Sequence, residues 1–437
     1  MSRETTTGTD RRTLLKLAGA TGAASLTGLA GCTTTDSGST ATATPTETES
    51  ESTGETDTAT EGDGGGDPYR IGMVDALTGS LSAFGQRNQR GKDLALATVN
   101  EAGIDGRELE IVVEDSTSQS SGGVSAAQKL VNQNGVPFLI GAVGSGVSLS
   151  IYESVVQDTD VVQLSQNSTG LGLTDFPGLA RISPTGRTQS TALADIVAED
   201  GYDDVALTYV NNNYGQSLAD AFVEAWDGSV AYNNPHDQDQ QSYSGVVSEM
   251  NDSGADAWLF VTYQAEFATL VNEIYSSGYD PQLYGADSVS GDQVLENTPE
   301  GSMDGMKIAV PSAPLEQDNY QEFVSRFEGE YDESPTVWST YAYDAVVTAA
   351  LSVQAADEFT GAALGDVVRD VTRPEGQTVT TYQAASDILA DGGGPSDVDY
   401  QGVSGPLNLD ENGDPEGFLQ ILEVRNHSYE PIGFVES

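Results

Sequence analysis

The sequence predicts an α/β fold of two doubly wound parallel-sheet lobes joined by crossover strands. From Tyr69 onward, short apolar runs alternate with amphipathic helical stretches, the βα rhythm of parallel sheets covered by helices on both faces. Residues 69–437 hold more of that rhythm than one such core takes up, so the chain divides into two lobes. Before Tyr69 the rhythm is absent, and a signal peptide and a disordered acidic tether are expected there.

The elements follow in order. Residues 1–31 start polar, pass through Arg11-Arg12-Thr13-Leu14-Leu15-Lys16, and continue as an apolar segment from Leu17 to Ala30. That segment is short and rich in Gly, Ala and Thr, whereas a spanning helix needs about 20 mostly apolar residues. A charged start, a short apolar core and small residues before a cleavage point make a secretory signal. Arg11-Arg12 with Leu-Leu-Lys resembles the twin-arginine signal for export of folded proteins. Leu29-Ala30-Gly31-Cys32 resembles the lipobox of secreted lipoproteins, and Cys32, the only cysteine of 437 residues, is the expected lipid anchor. After Cys32, residues 33–68 are mostly Thr, Ser, Glu, Asp and Gly, with a few Ala and Pro and no large apolar side chain, so a flexible tether is expected over 32–68.

Apolar runs bounded by turn residues predict strands at Arg70–Val74, Leu109–Glu114, Phe138–Gly141, Val161–Leu164, Asp204–Tyr209, Ala257–Thr262, Gln282–Gly285 and Met306–Val310. Helical spacing between and after them predicts helices at Phe84–Glu101, Gly122–Gln133, Ser148–Gln157, Thr188–Asp200, Gly215–Trp226, Tyr243–Asn251, Ala265–Ser276, Asp318–Tyr331, Val337–Ala355 and Thr360–Asp370. The first lobe is expected to comprise 69–186 plus 311–398, and the second 187–310 plus 399–437. Crossovers are expected near Ser183–Gly186 and Val310–Ala313, with a third before Gln401.

Composition narrows the function. Against 68 Asp plus Glu stand 17 Lys plus Arg, a formal net charge of -51. Phosphate binding needs a basic face, so nucleic acid is not an expected partner. The acids are dispersed through periodic segments, and at molar salt, where the Debye length is roughly 3 Å, such charge costs little; the composition reads as halophilic.

Chemistry in this fold belongs in the turns after the strands. After Phe138–Ile140 comes Gly141-Ala142-Val143-Gly144-Ser145-Gly146, where backbone amides and small residues make either an anion site or tight strand-to-helix packing. It is neither a Walker A loop nor GxGxxG. After Val161–Leu164, the run Ser165-Gln166-Asn167-Ser168-Thr169 offers hydroxyls and amides. Tyr263 and Asp287 follow two further strands, and in so acidic a chain an Asp is by default a solvated charge.

The stretch "IGMVDALTGSLSAFGQRNQRGKDLALATVNEAGIDGRELEIVVED" resembles the opening of the solute-binding proteins of ABC importers in the branched-chain amino acid family. So do "LVNQNGVPFLIGAVGSG", "NNNYGQSLADAF", "VWSTYAYDAV" and the expected C-terminal hairpin "SGPLNLDENGDPEGFLQILEV". The resemblance implies two α/β lobes of the type I periplasmic-binding-protein fold, closing on a ligand. It implies that Ser145 and Gly146 hold an α-carboxylate, with Ser168 and Thr169 as a second hydrogen-bonding wall. It places Asp287 against an α-ammonium, Tyr214 and Tyr263 on the second lobe, and Phe84 and Trp338 on the first. Neutral donors, one carboxylate and aromatic walls suit a zwitterion. Departures include Asn167-Ser168 for a small-residue pair, Phe84 for a tyrosine, and the shorter Asp. The polar Asn167 argues against a plain leucine or isoleucine pocket, leaving urea, short amides and aromatic carboxylates open as ligands.

Asp410-Glu411-Asn412-Gly413-Asp414 opens like a calcium loop, but Pro415 replaces the sixth-position glycine and Ile421 the closing Glu, so a hairpin turn is expected. His236 and His427 stand far apart and there is no GxSxG, so no metal, cofactor or enzyme activity is expected. The expected protein is monomeric, lipid-anchored on the extracellular face after twin-arginine export, and delivers an amino acid or similar polar metabolite to ABC permease subunits. A ligand-sensing co-receptor with the same cleft is the alternative, and an amidohydrolase the more distant one.

Overall fold

The computed structural model describes residues 66–176 and 178–436. The signal segment 1–31 with Arg11 and Arg12, the anchor Cys32 and the tether to residue 65 lie outside the described residues. At residues 66–68, expected as tether, the Asp67 carbonyl accepts from Arg107 Nε at 2.5 Å, and the Arg107 guanidinium sits 3.7 Å from the Tyr69 ring centroid.

The first lobe opens with β1 (Tyr69–Asp75), α1 (Ser82–Ala102), β2 (Leu109–Asp115), α2 (Ser120–Asn132), β3 (Phe138–Gly141), α3 (Ser145–Ile151), β4 (Val162–Ser165) and β5 (Leu179–Arg181). Its sheet runs β2-β1-β3-β4-β5, parallel throughout. Strands covered on both faces alternate between two cores: Ile71 and Met73 enter one apolar cluster, Val74 another. The helix expected at Ser148–Gln157 begins earlier as α3 and ends in a π-helical turn at Tyr152–Val156.

The second lobe follows with α4 (Gly186–Glu199), β6 (Asp204–Val210), α5 (Asn213–Ala225), β7 (Ser229–His236), α6 (Ser244–Asp252), β8 (Ala257–Val261), α7 (Gln264–Ser277), β9 (Gln282–Gly285), α8 (Asp292–Glu296) and β10 (Lys307–Ser312). The chain then returns to the first lobe for α9 (Asp318–Tyr331), α10 (Val337–Ala355), α11 (Gly361–Val367), β11 (Gln377–Val379), α12 (Tyr382–Ala390), β12 (Val398–Gly402) and β13 (Gly405–Pro406). Helix α10 is buried from Ser339 to Val353, in keeping with its apolar residues all round. It closes the first core over α1. The last elements, β14 (Phe418–Arg425) and β15 (Ser428–Glu436), complete the second sheet, ordered β15-β14-β10-β9-β8-β6-β7.

Three expectations are corrected at the C-terminus. Strands β14 and β15 run antiparallel to their neighbours, so the second sheet is mixed. Their turn is Asn426-His427, both at positive φ (50° and 59°), as a two-residue hairpin demands, and not 410–414. The latter is a turn in which Asp410 Oδ1 accepts from the Asn412 and Asp414 amides at 2.8 and 3.0 Å. The boundary at residue 398 also moves, because Val398, Tyr400, Leu407 and Leu409 are buried in the first lobe's core. The third crossing therefore comes after Leu409, not before Gln401.

Near the crossings the chain is tightly apposed: a Cβ on Gly417 would lie 2.6 Å from Pro184, and one on Gly405 3.5 Å from Pro314. Beneath them, Arg181 is fully buried and donates to Asp414 Oδ1 at 2.5 Å, to the carbonyls of Ser168 and Gly170 at 3.0 and 2.7 Å, and to Thr174 Oγ1 at 2.7 Å. Among the described residues, no helix is long and apolar enough to cross a membrane, and no group of three His, Cys, Asp or Glu could hold a metal ion.

Candidate functional site

Strand ends of both lobes meet at the seam between them, the place where open α/β sheets take ligands. After β3 the chain turns through Gly144 at φ +90°, where a side chain would be strained and a Cβ would press on Leu81 at 3.0 Å. The turn sets Ser145 at the start of α3. Its Oγ accepts from the Gly170 amide at 2.9 Å, which leaves its hydroxyl hydrogen to donate elsewhere. Thr169, after β4, is buried, and its carbonyl accepts from the Gly186 amide at 2.6 Å.

On the second lobe, Asn212 caps α5: its Oδ1 accepts from the Gly215 amide at 3.1 Å and its Nδ2 donates to Tyr263 Oη at 3.0 Å. Tyr214 and Tyr263 stack with centroids 5.5 Å apart at 13°. Tyr214 Oη donates to Asp287 Oδ1 at 2.7 Å, and Asp287 is 2% exposed. Burial pushes the Asp287 carboxyl above its ordinary range, and the Tyr214 hydrogen bond pulls the other way. Burial also raises the hydroxyls of Tyr214 and Tyr263, so both remain protonated donors at neutral pH. A cation placed beside Asp287 would supply the compensation that burial removes.

Six expected residues, Phe84, Ser145, Thr169, Tyr214, Tyr263 and Asp287, line one cavity of about 20 Å³. That is room for about one water molecule. The seam is closed: Ala76, Leu81, Phe84 and Val143 of the first lobe share an apolar cluster with Tyr214, Leu218 and Tyr263 of the second. A second cavity of about 300 Å³ shares Phe84 and Asp287 with the first and is walled by Trp338, Arg87, Asp292 and Tyr320. Trp338 meets Phe84 edge-on, centroids 5.6 Å apart, and Arg87 Nη2 reaches Asp292 Oδ2 across the seam at 3.2 Å.

Two expected residues stand apart. Ser168 turns into the first lobe, where its Oγ meets Ser148 Oγ at 2.8 Å and the Ala142 carbonyl at 3.3 Å, so Thr169 alone of the expected pair reaches the cavity. Gly146 lies beside the cavity at the seam: its carbonyl accepts from Ser120 and Ser150 at 3.1 and 2.7 Å, and a Cβ on it would meet Asn212 at 3.6 Å. Asn167, read from sequence as a polar residue of the pocket, lines the cavity, whereas sequence reasoning did not assign Leu81 or Ser288 to its wall, nor Asn212 as the partner of Tyr263. For Asn212 a signal existed, an Asn opening a helix after a strand.

A sequence model of the periplasmic binding protein family matches residues 68–390. The "Leu/Ile/Val-binding protein homolog 3" of Brucella melitensis is 31% identical over 231 residues, 50% of this chain and 61% of that protein. The alignment thus spans less than two thirds of that relative. Among solved structures, a branched-chain amino acid transporter substrate binding protein from Streptococcus pneumoniae in complex with isoleucine superposes with a TM-score of 0.72 at 21% identity, covering 85% of this chain and 100% of that one. A solute binding protein of an ABC transporter from R. palustris, in complex with benzoate, gives 0.68 at 17% identity, covering 84% and 96%. With a two-lobed α/β fold, strand ends meeting at a closed seam and a family match over most of its length, this chain belongs to the periplasmic binding protein family.

Proposed function

We propose that this protein is the extracytoplasmic solute-binding component of an ABC importer and takes an amino acid, branched-chain or related, between its lobes. The observation that carries this reading is the buried Asp287 carboxylate beside the Tyr214–Tyr263 stack, in a cavity whose other wall carries Ser145, its Oγ accepting from Gly170 and its hydrogen left to donate. A carboxylate on one side and hydroxyl donors on the other complement a zwitterion. The relatives named for leucine, isoleucine and valine support the class of ligand. Closure follows from differential affinity: a ligand touching both lobes stabilises the closed state, and the permease recognises that state. A sensing co-receptor would use the same cleft.

The edge-on pair Phe84–Trp338 in the cavity wall and the benzoate-bound relative favour a second reading, an aromatic carboxylate. A melting scan in molar salt separates the two. A ligand at 100 times its dissociation constant adds about 2.7 kcal/mol of stability. Stabilisation by an amino acid but not by its des-amino analogue is the expected result; stabilisation by benzoate alone overturns the zwitterion site.

Export by the twin-arginine route, lipidation at Cys32 and a saline working environment rest on Arg11-Arg12, the Leu-Ala-Gly-Cys sequence and the charge of -51. A single acyl chain binds membranes only reversibly, so a second lipid would be needed for a firm anchor. Cys32→Ser should release the protein to the medium or leave it unprocessed, read by fractionating cells. Unchanged membrane retention would exclude the anchor.

A further inference from the structure

Asn167 lines the small cavity and is 6% exposed. Its Nδ2 donates to Asn88 Oδ1 at 3.3 Å, and its Oδ1 is buried without a hydrogen-bond partner among the described residues. The direction of that amide is dictated from further inside. Asp75, fully buried at the end of β1, accepts from the Asn88 Nδ2 at 3.2 Å, from Gln89 Nε2 at 2.6 Å and from the Ala76 amide at 2.9 Å. Burial pushes the Asp75 carboxyl up to about 6, against the hydrogen bonds it accepts, so at neutral pH it is chiefly an ionised acceptor and Asn88 turns its amino group to Asp75 and its carbonyl to Asn167. Asn167 must then offer Asn88 its amino group. What remains is the Asn167 carbonyl oxygen, buried without a partner in a residue that lines the cavity.

Resting on the amino-acid reading above, we propose that Asn167 is a specificity-determining acceptor, oriented by Asn88 and Asp75, which selects ligands that present an N–H donor and disfavours donor-free carboxylates. A buried acceptor left without a donor bears its desolvation cost uncompensated, so a ligand that supplies one gains over a ligand that does not. The donor has two sources of the same chemistry, the α-ammonium or a side-chain amide. Asn88 is a positioning residue, since it reaches the ligand only through Asn167.

The test is calorimetric titration of the purified full chain and of Asn167→Ala in molar salt with L-leucine, L-glutamine and benzoate. The expected result is at least a tenfold loss in the variant for the amine-bearing probes that the wild type binds, with benzoate unchanged or tighter. A loss for both leucine and glutamine assigns the contact to the ammonium; a loss for glutamine alone assigns it to the side-chain amide. Unchanged affinities, or an equal loss for all three probes, would overturn the proposal while leaving an amino-acid site intact. A wild type that binds benzoate and neither amino acid would overturn both the proposal and the reading beneath it. Asn88→Leu is expected to narrow the amine-over-benzoate preference; an equal change for every probe removes its orienting role.

Discussion

Replacing Asp414 with Ala should remove about 3–5 kcal/mol of folding stability, the loss expected when one partner of a buried ion pair is taken away. Arg181 has no exposed surface, and burial already pulls its guanidinium toward losing its proton while Asp414 pushes back. Without Asp414 the cation keeps only carbonyl and hydroxyl partners from Ser168, Gly170 and Thr174. Denaturant unfolding at fixed molar salt measures the loss, and one below about 1 kcal/mol would mean that the pair is relieved by water. The double replacement Arg181→Met with Asp414→Leu should recover most of the deficit, because apolar pairs often match buried ion pairs.

Asp287→Asn should weaken amino-acid binding by about 2 kcal/mol or more, the cost of losing a charge-assisted pair in a buried site. The fold has no reason to suffer, since an amide oxygen still accepts from Tyr214 and a costly buried charge disappears. The melting temperature of the ligand-free variant should therefore not fall. Titration with the tightest amino acid reads the effect, and an unchanged dissociation constant removes Asp287 from the role of ammonium partner.

Much of the fold was legible because the buried parallel strands are short apolar runs bounded by turn residues. Phe138–Gly141 and Gln282–Gly285 have the limits their sequence predicts. The unread strands lack that signature. Ser229–His236 is an edge strand with a largely exposed burial pattern, and its Asn-Asn-Pro-His end has the composition of a loop. Leu179–Arg181 is three residues long, too short for any period to register. Turns after strands drew attention to Ser145, Thr169, Tyr263 and Asp287, the resemblance added Tyr214, and all five line the small cavity. Which of two adjacent hydroxyls faces the cavity was not legible, because Ser168 and Thr169 are chemically alike and only the backbone path separates them. The Arg181–Asp414 pair joins positions 233 residues apart, and no local pattern announces such a contact.

The apolar cluster shared by Leu81, Phe84 and Val143 with Tyr214 and Tyr263 bears on how strongly the protein captures its solute. Those side chains attract one another whether or not a ligand lies between the lobes, so closure has a resting probability of its own. Observed affinity scales with the fraction of molecules in the binding-competent state. Contacts that set this resting balance act on every solute by one common factor, whereas the polar groups of the cavity rank solutes against each other. On the proposed function, strength of capture and choice of ligand are thus separate dials, and the first can be tuned without changing the second.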